Sequence, residues 1–225
     1  MLRHAETLKR LEEITEPDHR STGFAVANLA AGTAQPTTLA DLYRDAERIR
    51  IGEAVPVDVR SYMEATKTLF VYGWFYYPFF TLSAFMATTA VEMALKLKLQ
   101  QRPDDPSHLK SLFDRAIAQG LLSDEGFPSR ESAEAYSENL EAYMAAKFGE
   151  GEAASEPGSV GPSPPYVQRV ADFMRHFRNA FAHPSGHWIL LPGQAVNFLT
   201  LAGEVINQLW PGEAGTSVGN PAPGA

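Results

Sequence analysis

Apolar residues recur at helical spacing along most of this chain, and no stretch alternates as a half-buried strand would. Leu39, Leu42, Tyr43, Ala46 and Ile49 follow an i, i+3, i+4, i+7 pattern behind a capping Thr38. A second helix is predicted to start after Pro56 and run toward Leu69, and a third covers Phe79 to about Gln101 after a turn at Gly73–Pro78. Ser107–Gln119 predicts a fourth, ended by Gly120. In Pro165–Ala182, the residues Val167, Val170, Met174, Phe177 and Phe181 form a stripe at 3, 4, 3, 4 spacing that must face a core. Gln194–Trp210 places Ala195, Phe198, Leu199, Ala202, Val205, Ile206 and Leu209 on one face and predicts the closing helix. The fold class expected is all-α, a helical bundle.

The remaining stretches set the boundaries. Residues 1–38 are expected to form a short amphipathic helix over Leu2–Ile14 and then an uncharged extended arm or loop over Ser21–Ala40. Residues 39–210 hold the helical domain. Within it, Ser129–Phe148 suits a surface helix, with Tyr136, Leu140 and Tyr143 along one face. Residues 149–165 are Gly, Ser, Pro and Glu without periodicity, which predicts a flexible insertion. Residues 211–225 predict a disordered tail.

Thr68–Val91 carries no charge and is long enough to span a bilayer. Gly73, Pro78, four Thr and three Tyr make it a poor lipid-facing sequence, and basic residues flank it on both sides. A buried core helix is the expected alternative, and a membrane partner is not expected. The start of the chain lacks an apolar signal core, so a cleaved secretory signal is not expected either.

At 225 residues with 44% hydrophobic and 20% charged positions, the composition is that of a globular chain. Cys is absent, which excludes disulfides, thiol nucleophiles and cysteine-ligated metals and is compatible with a cytoplasmic location. The net charge of −8 argues against a protein that coats nucleic acid. Most of that imbalance lies in residues 121–156, where nine acids face two bases. Residues 164–191 are locally basic, with Arg169, Arg175 and Arg178 against Asp172.

The candidate chemistry lies in that basic helix. At about 100° per residue, Arg178 falls roughly 60° from the centre of the apolar stripe, at the seam between core and solvent. Asn179 and His183 follow one turn apart, and Pro184 disfavours helix at His183. An Arg, an Asn and a His are thus expected at a helix C-terminus, near a loop bearing His187 and Trp188. Arg178 can instead snorkel from the core edge onto an acid of a neighbouring helix. His183 can bond the last helical carbonyls. Glu92 interrupts an apolar run and needs a partner, either Lys96 at i, i+4 or Arg178. His183 and His187 lack the carboxylate support of a metal site, and nucleotide-binding glycine motifs are absent, so no cofactor is expected. The aromatic run Trp74–Tyr77 has the composition of a base-stacking surface but is expected in the core or at a dimer interface.

The segment Arg178-Asn179-Ala180-Phe181-Ala182-His183 resembles the HEPN superfamily signature, an Arg, a polar residue and a His after four to six intervening positions. Val91–Lys96 is similar to the Glu-x-x-Leu-Lys segment of an earlier helix in that family, and Leu109–Leu121 resembles the helix that follows. The resemblance spans roughly residues 75–210 and leaves the N-terminal third unexplained. It implies a dimeric helical domain and a metal-independent ribonuclease of toxin or defence type, with RNA or a nucleotide as ligand and a cognate antitoxin or regulatory protein as partner. Arg178 and His183 are then catalytic, with Asn179 and Glu92 supporting. The chemistry implied is 2′-OH transesterification, in which Arg holds the phosphate and His moves the proton. Arg178 and His183 lie about 140° apart on an ideal helix, so a two-fold dimer would complete the cleft. A non-catalytic nucleotide- or protein-binding module of the same architecture is the alternative.

Overall fold

The computed structural model describes residues 8–28, 33–101, 108–132, 164–182 and 190–212. Six helices carry the domain: α1 (Leu39–Arg48), α2 (Val57–Tyr72), α3 (Pro78–Lys98), α4 (Leu109–Ala118), α5 (Tyr166–Ala182) and α6 (Pro192–Leu209). The described chain is mostly helical, as the periodicity predicts.

The most apolar helix sits in the middle. α3 packs along both α2 and α6, while α4 and α5 close its remaining side and α1 bridges α2 and α6. It is the one described helix long and apolar enough to cross a membrane, and more than half of its most apolar stretch is buried by these neighbours. The uncharged run at 68–91 is not one span, because the turn at Gly73–Tyr77 divides it between α2 and α3. All seven residues predicted for the inner face of α6 are buried. On α5, Val167, Val170, Met174 and Phe177 are buried, and Phe181 packs against the core edge beside Phe85.

Helix ends follow local chemistry. Thr38 accepts from the Asp41 amide while Asp41 Oδ2 accepts from the Thr38 amide, a reciprocal capping box. α4 stops where Gly120 adopts φ +68°, a conformation that suits glycine. α5 is capped from another element. Asp124, in a 3-10 turn over Asp124–Gly126, accepts from the amides of Tyr166 at 3.0 Å and Val167 at 2.8 Å. Those amides hold its carboxyl below the ordinary value, with burial opposing them. Asp124→Ala is expected to cost about 1 kcal/mol, read as a lower urea midpoint at unchanged slope.

Two expectations need correction. Of the expected Leu2–Ile14 helix, residues 2–7 lie outside the described residues, and residues 8–14 hold only a 3-10 turn at Leu11–Glu13, with Leu8 96% exposed. A short amphipathic segment with no surface to bury its apolar face does not hold a helix, and Pro17 ends it. The extended segment is also paired. β1 (Ala25–Asn28) and β2 (Thr33–Pro36) form an antiparallel hairpin, with Ala25 opposite Pro36. All four β2 residues are exposed, so no face is buried to impose an alternating pattern. Of the predicted Ser129–Phe148 helix, residues 130–132 are helical and the rest lies outside the described residues, as do 149–163 and 213–225.

Candidate functional site

α3, α4 and α5 meet around a cleft of about 300 Å³. Arg175, Arg178 and Asn179 line it from α5, Glu92 from α3, and His108 and Lys110 from the start of α4. Arg175 and Arg178 are three residues apart and share a helix face. The core stripe turns α5 so that this face looks into the cleft.

Arg178 lies at the seam its spacing predicts, 39% exposed beside the core residues Met174 and Phe177. Glu92 is only 15% exposed and holds two cations. Its Oε1 accepts from Lys96 Nζ at 2.6 Å, and its Oε2 stands 3.6 Å from Arg178 Nε. The two partners weighed for Glu92 in the sequence are therefore both present. The second distance is that of an ion pair and not a direct hydrogen bond. It holds the guanidinium at the cleft wall, where a fork of donors suits an anion. This is also the pair expected of an Arg that snorkels onto an acid of a neighbouring helix, so the contact fixes the side chain without assigning it a task.

Arg175 brings a second guanidinium. Its Nη2 is 3.5 Å from Asp172 Oδ1, while its Nε is buried without a hydrogen-bond partner among the described residues. Lys110 is paired with Asp114 at 2.7 Å. Asn179 is exposed at the cleft and offers an amide to it. Among the described residues the cleft is lined by Arg175, Arg178 and Lys110, each paired with a carboxylate (Asp172, Glu92 and Asp114), and their remaining donors suit a phosphate group.

Of the predicted site residues, Arg178, Asn179 and Glu92 are brought together. His183 lies outside the described residues, as do His187 and Trp188. Sequence reasoning missed His108 and Lys110, whose wall is separated from α5 by more than fifty residues of chain. Arg175 carried a signal, since it precedes Arg178 by one helical turn within the locally basic segment. The aromatic run is divided: Tyr77 is buried in the core, while Trp74, Phe75 and Tyr76 are half-buried at the α2–α3 turn. Among the described residues, no three His, Asp or Glu side chains gather as a metal-ligand set.

A larger cleft of about 480 Å³ lies between α1 and α2, lined in part by Tyr43, Arg50, Lys67 and Tyr72. It contains none of the motif residues, and its Lys67 is held by Glu64 at 2.8 Å. Size alone does not make it the better site; the α3–α4–α5 cleft is where cationic groups converge.

Compared with family models, curated proteins and solved structures, the chain matches none.

Proposed function

We propose that this is a HEPN-like, dimeric, cytoplasmic ribonuclease that holds an RNA phosphate in the α3–α4–α5 cleft and cleaves the chain without a metal. The observation that carries this reading is the Glu92–Arg178 pair at the wall of a cationic cleft, within the segment that resembles the HEPN signature. Glu92 fixes the direction of the fork, and Arg178 meets the two phosphate oxygens that gain charge as the phosphorane forms. The 2′-oxygen forms its bond to phosphorus after giving its proton to a base. The P–O5′ bond breaks and the leaving oxygen takes a proton, so the products are a 2′,3′-cyclic phosphate and a 5′-hydroxyl. His183 is assigned the proton transfer on the resemblance, and a second copy of the chain supplies the other imidazole. A cognate antitoxin or regulatory protein would restrain such an activity.

Purified protein is expected to cleave RNA in excess EDTA and to leave cyclic-phosphate ends. Arg178→Ala should lower the rate about a hundredfold, the loss usual for one preorganised donor to a developing oxyanion, and His183→Ala should abolish it. Equal rates in the variants and the parent would remove the proposal.

A non-catalytic nucleotide- or protein-binding module is the second reading. The net charge of −8 favours it, because long-range attraction of RNA is weak for an acidic chain. Binding of a nucleotide that depends on Arg178, with no cleavage under any condition, selects this reading.

A further inference from the structure

α3 carries apolar residues on two sides. Phe80, Ala84, Ala87, Val91 and Leu95 are buried in the core. Phe79, Leu82, Met86, Thr89 and Met93 recur at 3, 4, 3, 4 spacing within about 80° of one another, on the side turned away from that core. All five are partly exposed, Leu82 to 45%. Thr89 spends its hydroxyl on the Phe85 carbonyl at 3.1 Å, so the stripe presents an apolar surface along about 21 Å of helix. Pro78–Val91 holds no charged residue. Tyr76, edge-on to Phe79 at 5.1 Å, carries the same surface onto the α2–α3 turn.

A stripe with this spacing is a seam for another helix. We infer that its occupant is the α3 helix of a second copy, and that the two helices run antiparallel and cross at Met86. Two chains that each carry −8 repel at a distance and approach closely only where neither is charged. The acid-rich residues 121–156 lie outside α3, and the stripe is uncharged. It is also self-complementary about Met86, as a two-fold contact requires, with Phe79 set against the partner's Met93. Antiparallel packing opposes the helix dipoles and keeps the basic ends at Lys96 and Lys98 apart. Parallel packing would bring Glu92 toward the partner's Glu92, a like-charge contact. The inference rests on the reading of a dimeric site and names the contact that builds it. Phe85, next to Met86, stands 6.0 Å from Phe181 on the last turn of α5. Crossing at Met86 therefore draws the ends of both α5 helices, which carry Arg178 and Asn179, toward the two-fold axis.

The chain has no Cys, so a single introduced Cys reports a single contact. Met86→Cys is expected to give a disulfide-linked dimer on mild oxidation, because facing Cα atoms of packed helices come within disulfide reach. Tyr43→Cys, 58% exposed on α1, should stay unlinked. Phe79→Cys mixed with Met93→Cys should link the one to the other, with neither linking to itself. Leu82→Glu sets two carboxylates across the seam at an exposed position. It should weaken the dimer at least about a hundredfold by sedimentation, with an unchanged circular dichroism spectrum. A dimer that resists Leu82→Glu and does not link through Met86→Cys overturns the seam and leaves the ribonuclease reading to its own cleavage test. Self-linking of Phe79→Cys overturns the antiparallel arrangement. A parent chain that stays monomeric at about 100 µM overturns the seam together with the two-copy site. Flotation of such a monomer with phosphatidylcholine vesicles, lost in Leu82→Glu, gives the face to a lipid surface and equally overturns the seam. Linkage through Met86→Cys in a protein that cleaves no RNA keeps the seam and removes only the ribonuclease reading.

Discussion

Phe80→Ala is expected to destabilise the protein by about 3–5 kcal/mol, a large part of the total stability of an ordinary domain. Phe80 stands in the first turn of α3 and is completely buried. Its ring meets Phe70 edge-on at 5.5 Å and Tyr77 at 5.2 Å, so three aromatic side chains share one packed volume. The ring also lies against the backbone where α2 ends. A Cβ added at Gly73 would fall 2.6 Å from Phe80 Cε1, so this close approach requires glycine. Removing the ring therefore opens a cavity beneath the turn that joins α2 and α3, and Gly73 has no side chain to fill it. Urea unfolding should show the loss as a lower midpoint. Leu82→Ala on the same helix, at a position 45% exposed, should cost well under half as much. Similar losses at the two positions would mean that the α2–α3 corner is not packed as described.

What was legible in the sequence was what one helix decides for itself. The inner faces of α5 and α6, the Thr38 capping box and the stop at Gly120 each depend on residues within a few positions of one another. The hairpin was not legible, because β2 is exposed along its length and has no reason to alternate. Nor were the cross-chain locks. Asp124 caps a helix that begins more than forty residues later, and Glu204 of α6 accepts from the Ser129 amide and hydroxyl. Burial raises the Glu204 carboxyl despite those two bonds, which marks a contact made by folding and not by local sequence. The site divides in the same way. The seam position of Arg178 follows from helix geometry, and the two alternatives for Glu92 were both local enough to state. Periodicity says which face of α5 turns inward but not which helix stands opposite, so His108 and Lys110 carried no signal.

Asp18→Ala is expected to cost about 3 kcal/mol near neutral pH, with the loss shrinking in acid. Asp18 is only 5% exposed and ties the N-terminal segment to the α2–α3 turn. Arg20 Nε and Nη2 each donate to its carboxylate at 2.9 Å, and the amides of Arg20 and Tyr77 add bonds of 3.0 and 3.2 Å. The Arg20 guanidinium in turn lies 4.6 Å from the centre of the Tyr77 ring. Removing the carboxylate leaves the inward Tyr77 amide without this acceptor and takes from Arg20 the carboxylate that its Nε and Nη2 hold. Burial acts to raise the Asp18 carboxyl, but the Arg20 fork and the amides outweigh it and hold the group at about 2, against an ordinary 3.8. A depressed carboxylate stabilises the fold fully above its unfolded value and loses that contribution as pH falls through its folded value. The difference is on the order of 2 kcal/mol at pH 6, of which about half remains at pH 3. Stability measured from pH 6 to pH 3 should therefore fall more steeply for the parent than for Asp18→Ala, and the gap between them should narrow. Parallel curves would show that the carboxylate is not held by its charge, and that the N-terminal segment is anchored instead by neutral contacts such as the Phe24–Tyr77 stack at 5.8 Å.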